Sequence, residues 1–458
     1  MPRTVTIAAV RLGRLSGRGA RTLSEIVRQV LTASLGRGVV RISQFVTFLV
    51  LARLMSPAEF GWFGIVTTAI TVGALLGSLG LRQSFGYEIG QKHRTPNEAA
   101  GTALALWLPL SIASAAAIYF LYGRRLPEIS QAQAAWIIFV GVAASILVLL
   151  MQGINLGQGD IRGFALSESV PRVALMFLSI VLALFGSVTL QSSLWAFGGG
   201  FVVAAPLVLW LAMAGSGRPR VNFRRLGRTL RYGLIFAFNL LAITLCARIS
   251  MFVIEHYTGA AAAGEFFAAT RVNEIFLEAA TAVGMVLFSN AARQDKGAAV
   301  INRSARIACW MFWLFMILGG LIMLAAPLVI RLVAGSQYAA AGPALQILAV
   351  SLAPTAASKI IYPTLSGSGD PHFGTPVIIT SLVFNGILAF ALVPSMGIQG
   401  GAIALVCGQY LLFAGYVLLC RRRYDVPVRT MLLPRWQDAK QTANWVVSKL
   451  RRQRRSEG

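Results

Sequence analysis

LGRGVVRISQFVTFLVLARL (residues 35–54), MSPAEFG (55–61) and WFGIVTTAITVGALLGSLGLRQ (62–83) read together as two membrane-crossing helices joined by a tight, proline-containing turn. Each apolar part is long enough to cross a hydrocarbon core of about 30 Å at a rise of about 1.5 Å per residue. Arg37 and Arg41 are spaced i, i+4 and share one helix face, which Gln44 and Phe48 continue. A charge inside a membrane helix costs about 2.5–3.5 kcal/mol. Two arginines on one stripe therefore imply protein or water around that face rather than lipid.

Outward from this hairpin the same pattern repeats. Apolar runs fall at 32–54, 60–81, 100–122, 134–155, 169–186, 193–213, 232–255, 262–289, 304–326, 343–365, 376–394 and 400–420. The composition agrees: 56% of the 458 residues are hydrophobic and only 12% are charged, about half the charge of a soluble chain. The alternation of a membrane β-barrel is absent. The expected fold class is an all-α polytopic membrane protein with about 12 transmembrane helices.

The net charge of +25 would point to nucleic acid in a soluble protein. Here the basic residues sit mainly in loops and tails, so topology explains them first. With the N-terminus cytoplasmic, 32 of the 41 Lys and Arg residues fall on the cytoplasmic side and 4 on the outer side, the other five lying within spans. That asymmetry follows the positive-inside rule and places both termini in the cytoplasm. The implied organisation is a basic N-terminal tail (1–31), a six-helix lobe (32–213), a basic cytoplasmic linker (214–231), a second six-helix lobe (232–420) and a basic C-terminal tail (421–458). Residues 1–31 are arginine-rich and lack the apolar core of a signal peptide. The C-terminal tail, with Trp436 and Trp445, is either a topological anchor on anionic lipid or a docking segment.

Cys246, Cys309, Cys407 and Cys420 fall in or beside apolar runs without metal-like spacing, and His93, His256 and His372 are scattered in loops. No metal, cofactor or catalytic residue is expected. A phosphate-binding GxxxxGK[ST] loop is absent, so ATP hydrolysis by this chain is not expected.

The second half opens with an echo of the first. TGAAAAGEFF occupies the place of SPAEFGWF, and Gly264 matches Gly61 at an offset of 203 residues. Repeated halves around a central site are a common transporter plan.

The hairpin also resembles that of bacterial polysaccharide flippases of the multidrug/oligosaccharidyl-lipid/polysaccharide exporter superfamily. The matching residues are Ala52, Arg53, Leu54, Ser56, Pro57, Phe60, Gly61, Gly80, Leu81 and Ser84. GAAAAGEFFAATRVNEIF (259–276) resembles the corresponding hairpin of the second half, and VAGSQYAAAGPALQILA (333–349) the loop before span 10. The resemblance covers most of the 12-span body but neither basic tail. It implies two six-helix lobes around a central cavity, alternating access, an inner-membrane location, and an undecaprenyl-diphosphate-linked oligosaccharide carried from the cytoplasmic to the periplasmic leaflet. It also implies basic cavity residues in the first and eighth helices, where Arg37, Arg41 and Arg271 fall.

The intramembrane charges lead to the same substrate class. A lipid-linked diphosphate sugar needs cations for its head, a wet cavity for its glycan and a lateral opening for its tail. Arginine suits the diphosphate because its planar fork makes bidentate contacts. Arg271, Glu274 and Glu278 lie on one face of span 8. Arg271 and Glu274 either pair simply with each other, or the carboxylates compete with phosphate for the arginine. Lys359, on a stripe with Ser351, Thr355 and Tyr362, either lines the cavity or snorkels to an interface, and Arg248 has the same two options. Arg37, near its helix start, can also reach the headgroups. Arg53 reads as an outer-interface anchor or lobe contact.

Three alternatives remain at this level. A cation-coupled multidrug exporter of the same superfamily needs cavity carboxylates, yet the first-half spans hold none apart from Glu168 at the edge of span 5. A membrane polymerase or ligase needs a large outer loop, and none is present. A non-transporting scaffold of a polysaccharide-assembly complex would depend on its tails rather than its arginines. The expected partners are the lipid-linked oligosaccharide, anionic lipids, and the polymerase or glycosyltransferases of the pathway, with no nucleic acid.

Overall fold

Ser56, Pro57 and Glu59 build the helix start that follows the turn. In the computed structural model of the chain, the Ser56 N–H and hydroxyl donate to Glu59 Oε2 at 3.0 and 2.9 Å, and the Glu59 N–H donates to Ser56 Oγ at 3.3 Å. This is a capping box with proline at the first helical position, where its missing N–H leaves no bond unmade. The structure describes residues 38–214, 217–293, 298–367 and 374–434. Arg37, the N-terminal tail and the tail tryptophans lie outside these residues.

The first unit of the fold is built from α1 (38–54), α2 (Pro57–Gly77), α3 (Leu81–Gly90), α4 (Pro96–Leu121), α5 (Gln131–Gln158), α6 (Ile161–Leu184) and α7 (Leu190–Met213), together with the first part of α8 (Leu226–Thr258). The second contains the rest of α8, then α9 (Ala260–Phe276), α10 (Glu278–Arg293), α11 (Ala298–Val333), α12 (Ala341–Ala349), α13 (Leu352–Gly367), α14 (Thr375–Tyr424) and α15 (Val428–Leu432). The division does not follow the midpoint of the chain. Residues 55–65 belong to the second unit, and residues 66–241 to the first.

Local chemistry sets the helix ends. The Ser130 side chain accepts from the Gln133 N–H, Asp160 from Gly163 and Thr189 from Ser192 at the starts of α5, α6 and α7. Such caps satisfy N–H groups that the first turn leaves open. Gly159 closes α5 in the left-handed region, with φ 73°.

Among the described residues, eight helices are long and apolar enough to cross a membrane, or nine when the bent pair α12–α13 is counted as one span. The chain is thus an all-helical, multi-pass membrane protein. Four places depart from continuous spans. After α2 the chain turns through Leu79 (φ 48°) and Gly80 (φ 67°) and resumes as α3, in a stretch read from sequence as loop. Span 8 is interrupted at Leu277, between α9 and α10. Span 10 bends by 53° between α12 and α13. α14, at 50 residues, is two helices meeting at Gly397 (φ 55°, ψ −129°). Beyond that kink, a Cβ on Gly415 would meet Val377, the Ser381 hydroxyl donates to Gly408 O at 2.6 Å, and Gly400 lies against Leu392 O. This is the register of an antiparallel hairpin, matching the expected spans 376–394 and 400–420.

Within the second unit, the 55–65 turn packs on α9 and on the segment before α12. Gln337 Nε2 and the Tyr338 hydroxyl donate to Met55 O at 2.9 and 3.3 Å. The Phe60 ring packs tilted against Phe267 (centroids 5.1 Å apart) and edge-on against Tyr338 (5.8 Å). Burial, with the nearby carboxylates of Glu59 and Glu265, pushes the Tyr338 phenol up and keeps it protonated as a donor.

Candidate functional site: arginine clusters within the helical spans

The second unit holds a triad. Arg248 Nη2 of α8 meets Glu274 Oε1 of α9 at 2.7 Å, and Arg271 Nη1 meets Glu274 Oε2 at 3.0 Å. Each carboxylate oxygen thus serves a different guanidinium. Arg271 also lies over the Phe267 ring at 4.7 Å, one helical turn back. The Arg248 side chain is 14% exposed, Arg271 33% and Glu274 34%, so the group is partly desolvated and still open on one side. Two guanidiniums thus flank one carboxylate. The carboxylate stabilises both arginines inside the helical body and holds their planes in place.

Glu278 is the first residue of α10, where the break at Leu277 places its carboxylate at a helix N-terminus. It is partly buried. Lys359 lies midway along α13, also partly buried, with Thr355 and Tyr362 alike. The α9 side chain of Asn273 donates to Ser351 Oγ at 3.4 Å, tying α9 to the bend before α13.

The first unit holds a second cluster. Arg41 of α1 donates to Gln44 Oε1 at 3.0 Å, one turn on along the expected stripe. It lies within electrostatic range of Arg172 on α6, which also feels Glu168 one turn earlier. Arg172 sits over the Phe201 ring of α7 at 5.1 Å.

The sequence expectations meet this geometry unevenly. The Arg271–Glu274 pair forms as its i, i+3 spacing implied. Arg248 joins that pair, across 23 and 26 residues of sequence and from another helix. Arg41 stands in the first unit with Gln44. Arg37 lies outside the described residues. The 32-residue cytoplasmic charge count includes Arg172, at the edge of the 169–186 run, with the loop, because Glu168, Pro171 and Arg172 cluster where that run begins. The helix instead starts at Ile161 behind the Asp160 cap and runs through Pro171. The GD pair at 159–160 was the signal: glycine closing one helix and aspartate opening the next.

Residues 50–343 match the profile of the polysaccharide biosynthesis protein family. The chain belongs to that family. One relative is the succinoglycan biosynthesis transport protein ExoT of Rhizobium meliloti (strain 1021), 27% identical over 351 residues. The match covers 71% of this chain and 66% of ExoT, just under two thirds of that protein's length. Among solved structures, the lipid II flippase MurJ in an inward closed conformation superposes with a TM-score of 0.72 at 13% identity, covering 88% of this chain and 89% of MurJ. An inward-facing multidrug resistance MATE family transporter of the MOP superfamily superposes with a TM-score of 0.65 at 17% identity, covering 84% and 94%. At these identities the likeness is one of fold alone.

Proposed function

We propose that this protein is a flippase that carries undecaprenyl-diphosphate-linked oligosaccharide repeat units from the cytoplasmic to the periplasmic leaflet of the bacterial inner membrane by alternating access, supplying exopolysaccharide, O-antigen or capsule assembly. The observation that carries this reading is the Arg248–Glu274–Arg271 triad: two guanidiniums within the helical body with one carboxylate between them. A cation carrier needs the opposite balance. Arg37, Arg41 and Arg271 are the diphosphate-binding candidates, with Arg248 and Lys359 as further cations. Glu274 and Glu278 are carboxylates that compete for the arginines when substrate leaves. The family membership and the transport role in ExoT's name support the substrate class. Both termini are assigned to the cytoplasm on the positive-inside asymmetry. The basic tails are assigned to anionic lipid, and the polymerase and glycosyltransferases of the pathway are the expected protein partners.

The test is genetic. Deleting the gene is expected to abolish a surface polysaccharide and trap lipid-linked repeat units on the cytoplasmic face. Complementation with wild type restores export. Arg271→Ala, at matched membrane levels, restores less than about a tenth of it, the loss expected for one charge-assisted contact to phosphate. Intact glycan export in the deletion strain, with altered sensitivity to cationic drugs, replaces this reading by a multidrug exporter.

A further inference from the structure

Arg172 is the cation that the reading above leaves unused. It lies 11 residues into α6, about 16 Å along the helix at 1.5 Å per residue. Its guanidinium carries five N–H donors. Among the described residues it makes neither a hydrogen bond nor an ion pair within 4.0 Å. Its contacts are the face of Phe201, at 5.1 Å, and the fields of Glu168 and Arg41.

The two units solve one problem differently. In the second, Arg271 stacks on Phe267 and its edge is met by the Glu274 carboxylate. In the first, Arg172 likewise lies over a ring, that of Phe201 at 5.1 Å, and no described carboxylate lies within ion-pair distance of it. A ring beneath a guanidinium fixes its plane and leaves the N–H edge for a planar or tetrahedral oxyanion. Arg41 adds a second positive charge to the field at Arg172, which Glu168 partly offsets. An arginine in a spanning helix is costly unless its N–H edge is met, and a bound anion meets it best.

We infer that Arg172, held on Phe201 and assisted by Arg41, is a phosphate-binding site of the first unit. The ligand chemistry is a phosphate or diphosphate ester attached to a lipid. The inference rests on the flippase reading for one of its two sources, the diphosphate head of the carried lipid; the other is the headgroup of a bilayer phospholipid. Arg172 donates N–H bonds to the phosphate oxygens, Phe201 sets the plane, and Arg41 supplies further positive field. No covalent step is involved.

The test uses the full chain in phosphatidylcholine nanodiscs, with farnesyl diphosphate as a short probe of the carried lipid and added phosphatidylglycerol as a probe of the bilayer. Calorimetry reads diphosphate binding and thermal unfolding reads stabilisation by phosphatidylglycerol. Arg172→Gln is expected to weaken farnesyl diphosphate by about tenfold or more, the value of losing one charged hydrogen-bonding group. Arg172→Lys is expected to lie between, since it keeps the charge and loses the fork. If Arg172→Gln leaves farnesyl diphosphate unchanged but removes the stabilisation by phosphatidylglycerol, the site stands with a bilayer lipid as its ligand. If Arg172→Gln does not fold, Arg172→Lys decides by the same two readings. Binding of both probes as in wild type overturns the site. Arg271→Gln measured alongside then separates the two proposals: a loss there with none at position 172 keeps the flippase reading and removes this one. Failure of wild type to bind either probe overturns both.

Discussion

Alanine at Gly61 is expected to strip most of the folded protein from the membrane. A Cβ at this position would sit 1.9 Å from the Ala260 carbonyl oxygen and 2.8 Å from the Gly264 nitrogen. A Cβ on Gly264 would sit 1.9 Å from the Pro57 oxygen and 2.8 Å from the Gly61 nitrogen. Every atom in the way is backbone at the start of a helix, so no side chain can rotate aside. Relief requires α2 and α9 to part by more than an ångström, which would pull Phe60 off Phe267 and Tyr338 and strain the bonds to Met55 O. Overpacking a well-filled site costs about 1–3 kcal/mol, and more where the backbone must move. The expected loss for Gly61→Ala or Gly264→Ala is thus about 3 kcal/mol or above, read as a fall in melting temperature and in monodisperse protein after solubilisation. Gly90→Ala is the control, since nothing lies within 4 Å of its Cβ; it is expected to be neutral or slightly stabilising. A Gly61→Ala protein that melts with wild type would refute the close approach.

The second large effect is expected at Arg94. Its Nε lies 3.1 Å from Glu88 Oε2, with the two side chains only 1% and 6% exposed. The distance is that of an ion pair, but Arg94 Nε and Nη1 and Glu88 Oε2 make no well-angled hydrogen bond, so Coulomb attraction carries the contact. Around it the Thr229 hydroxyl donates to Glu88 Oε1 at 2.6 Å, Arg94 Nη2 to Asn222 O at 3.4 Å and the Ser84 hydroxyl to Thr229 O at 2.8 Å. Arg225 donates to His93 O, and Asn222 Nδ2 donates to Glu98 Oε1 at 3.0 Å. These bonds fasten the basic segment before α8, and the first turns of α8, onto α3 and α4 within the first unit. Removing one partner of a buried pair leaves the other charge unmatched, which costs about 3–5 kcal/mol. Arg94→Ala and Glu88→Ala are each expected to show that loss in thermal unfolding. The double variant should lose far less than the sum, because no charge is then stranded. Additive losses would mean that the two residues do not act as a pair.

Both predictions join residues that the sequence relates only weakly. The offset of 203 residues between Gly61 and Gly264 was visible as an echo of two turns, and the same offset links Pro57 to Ala260. That the two turns touch, each glycine receiving the other's helix start, was not visible. Glu88, Arg94 and Thr229 carried no pattern at all. Their polarity placed them in a cytoplasmic loop and linker, and only the fold shows them buried together.

The candidate site divides the same way. Arg271 with Glu274 follows from helical spacing, and Arg41 with Gln44 from the same rule. Arg248 reaches Glu274 from another helix, and Arg172 belongs to a span whose start was hidden by Glu168 and Pro171.

The sequence by itself determined the class, the approximate spans, the hairpin at 55–61 and the excess of arginine over carboxylate within the spans. Those are local properties: hydropathy is summed over about 20 neighbouring residues, and helix faces follow from spacing. The tertiary structure alone decided which cation meets which anion, which glycines touch, and where spans break, at Leu277 and between α12 and α13. Each of these depends on groups brought together across helices, where a charge's partner and a glycine's neighbour are set by packing and not by position along the chain.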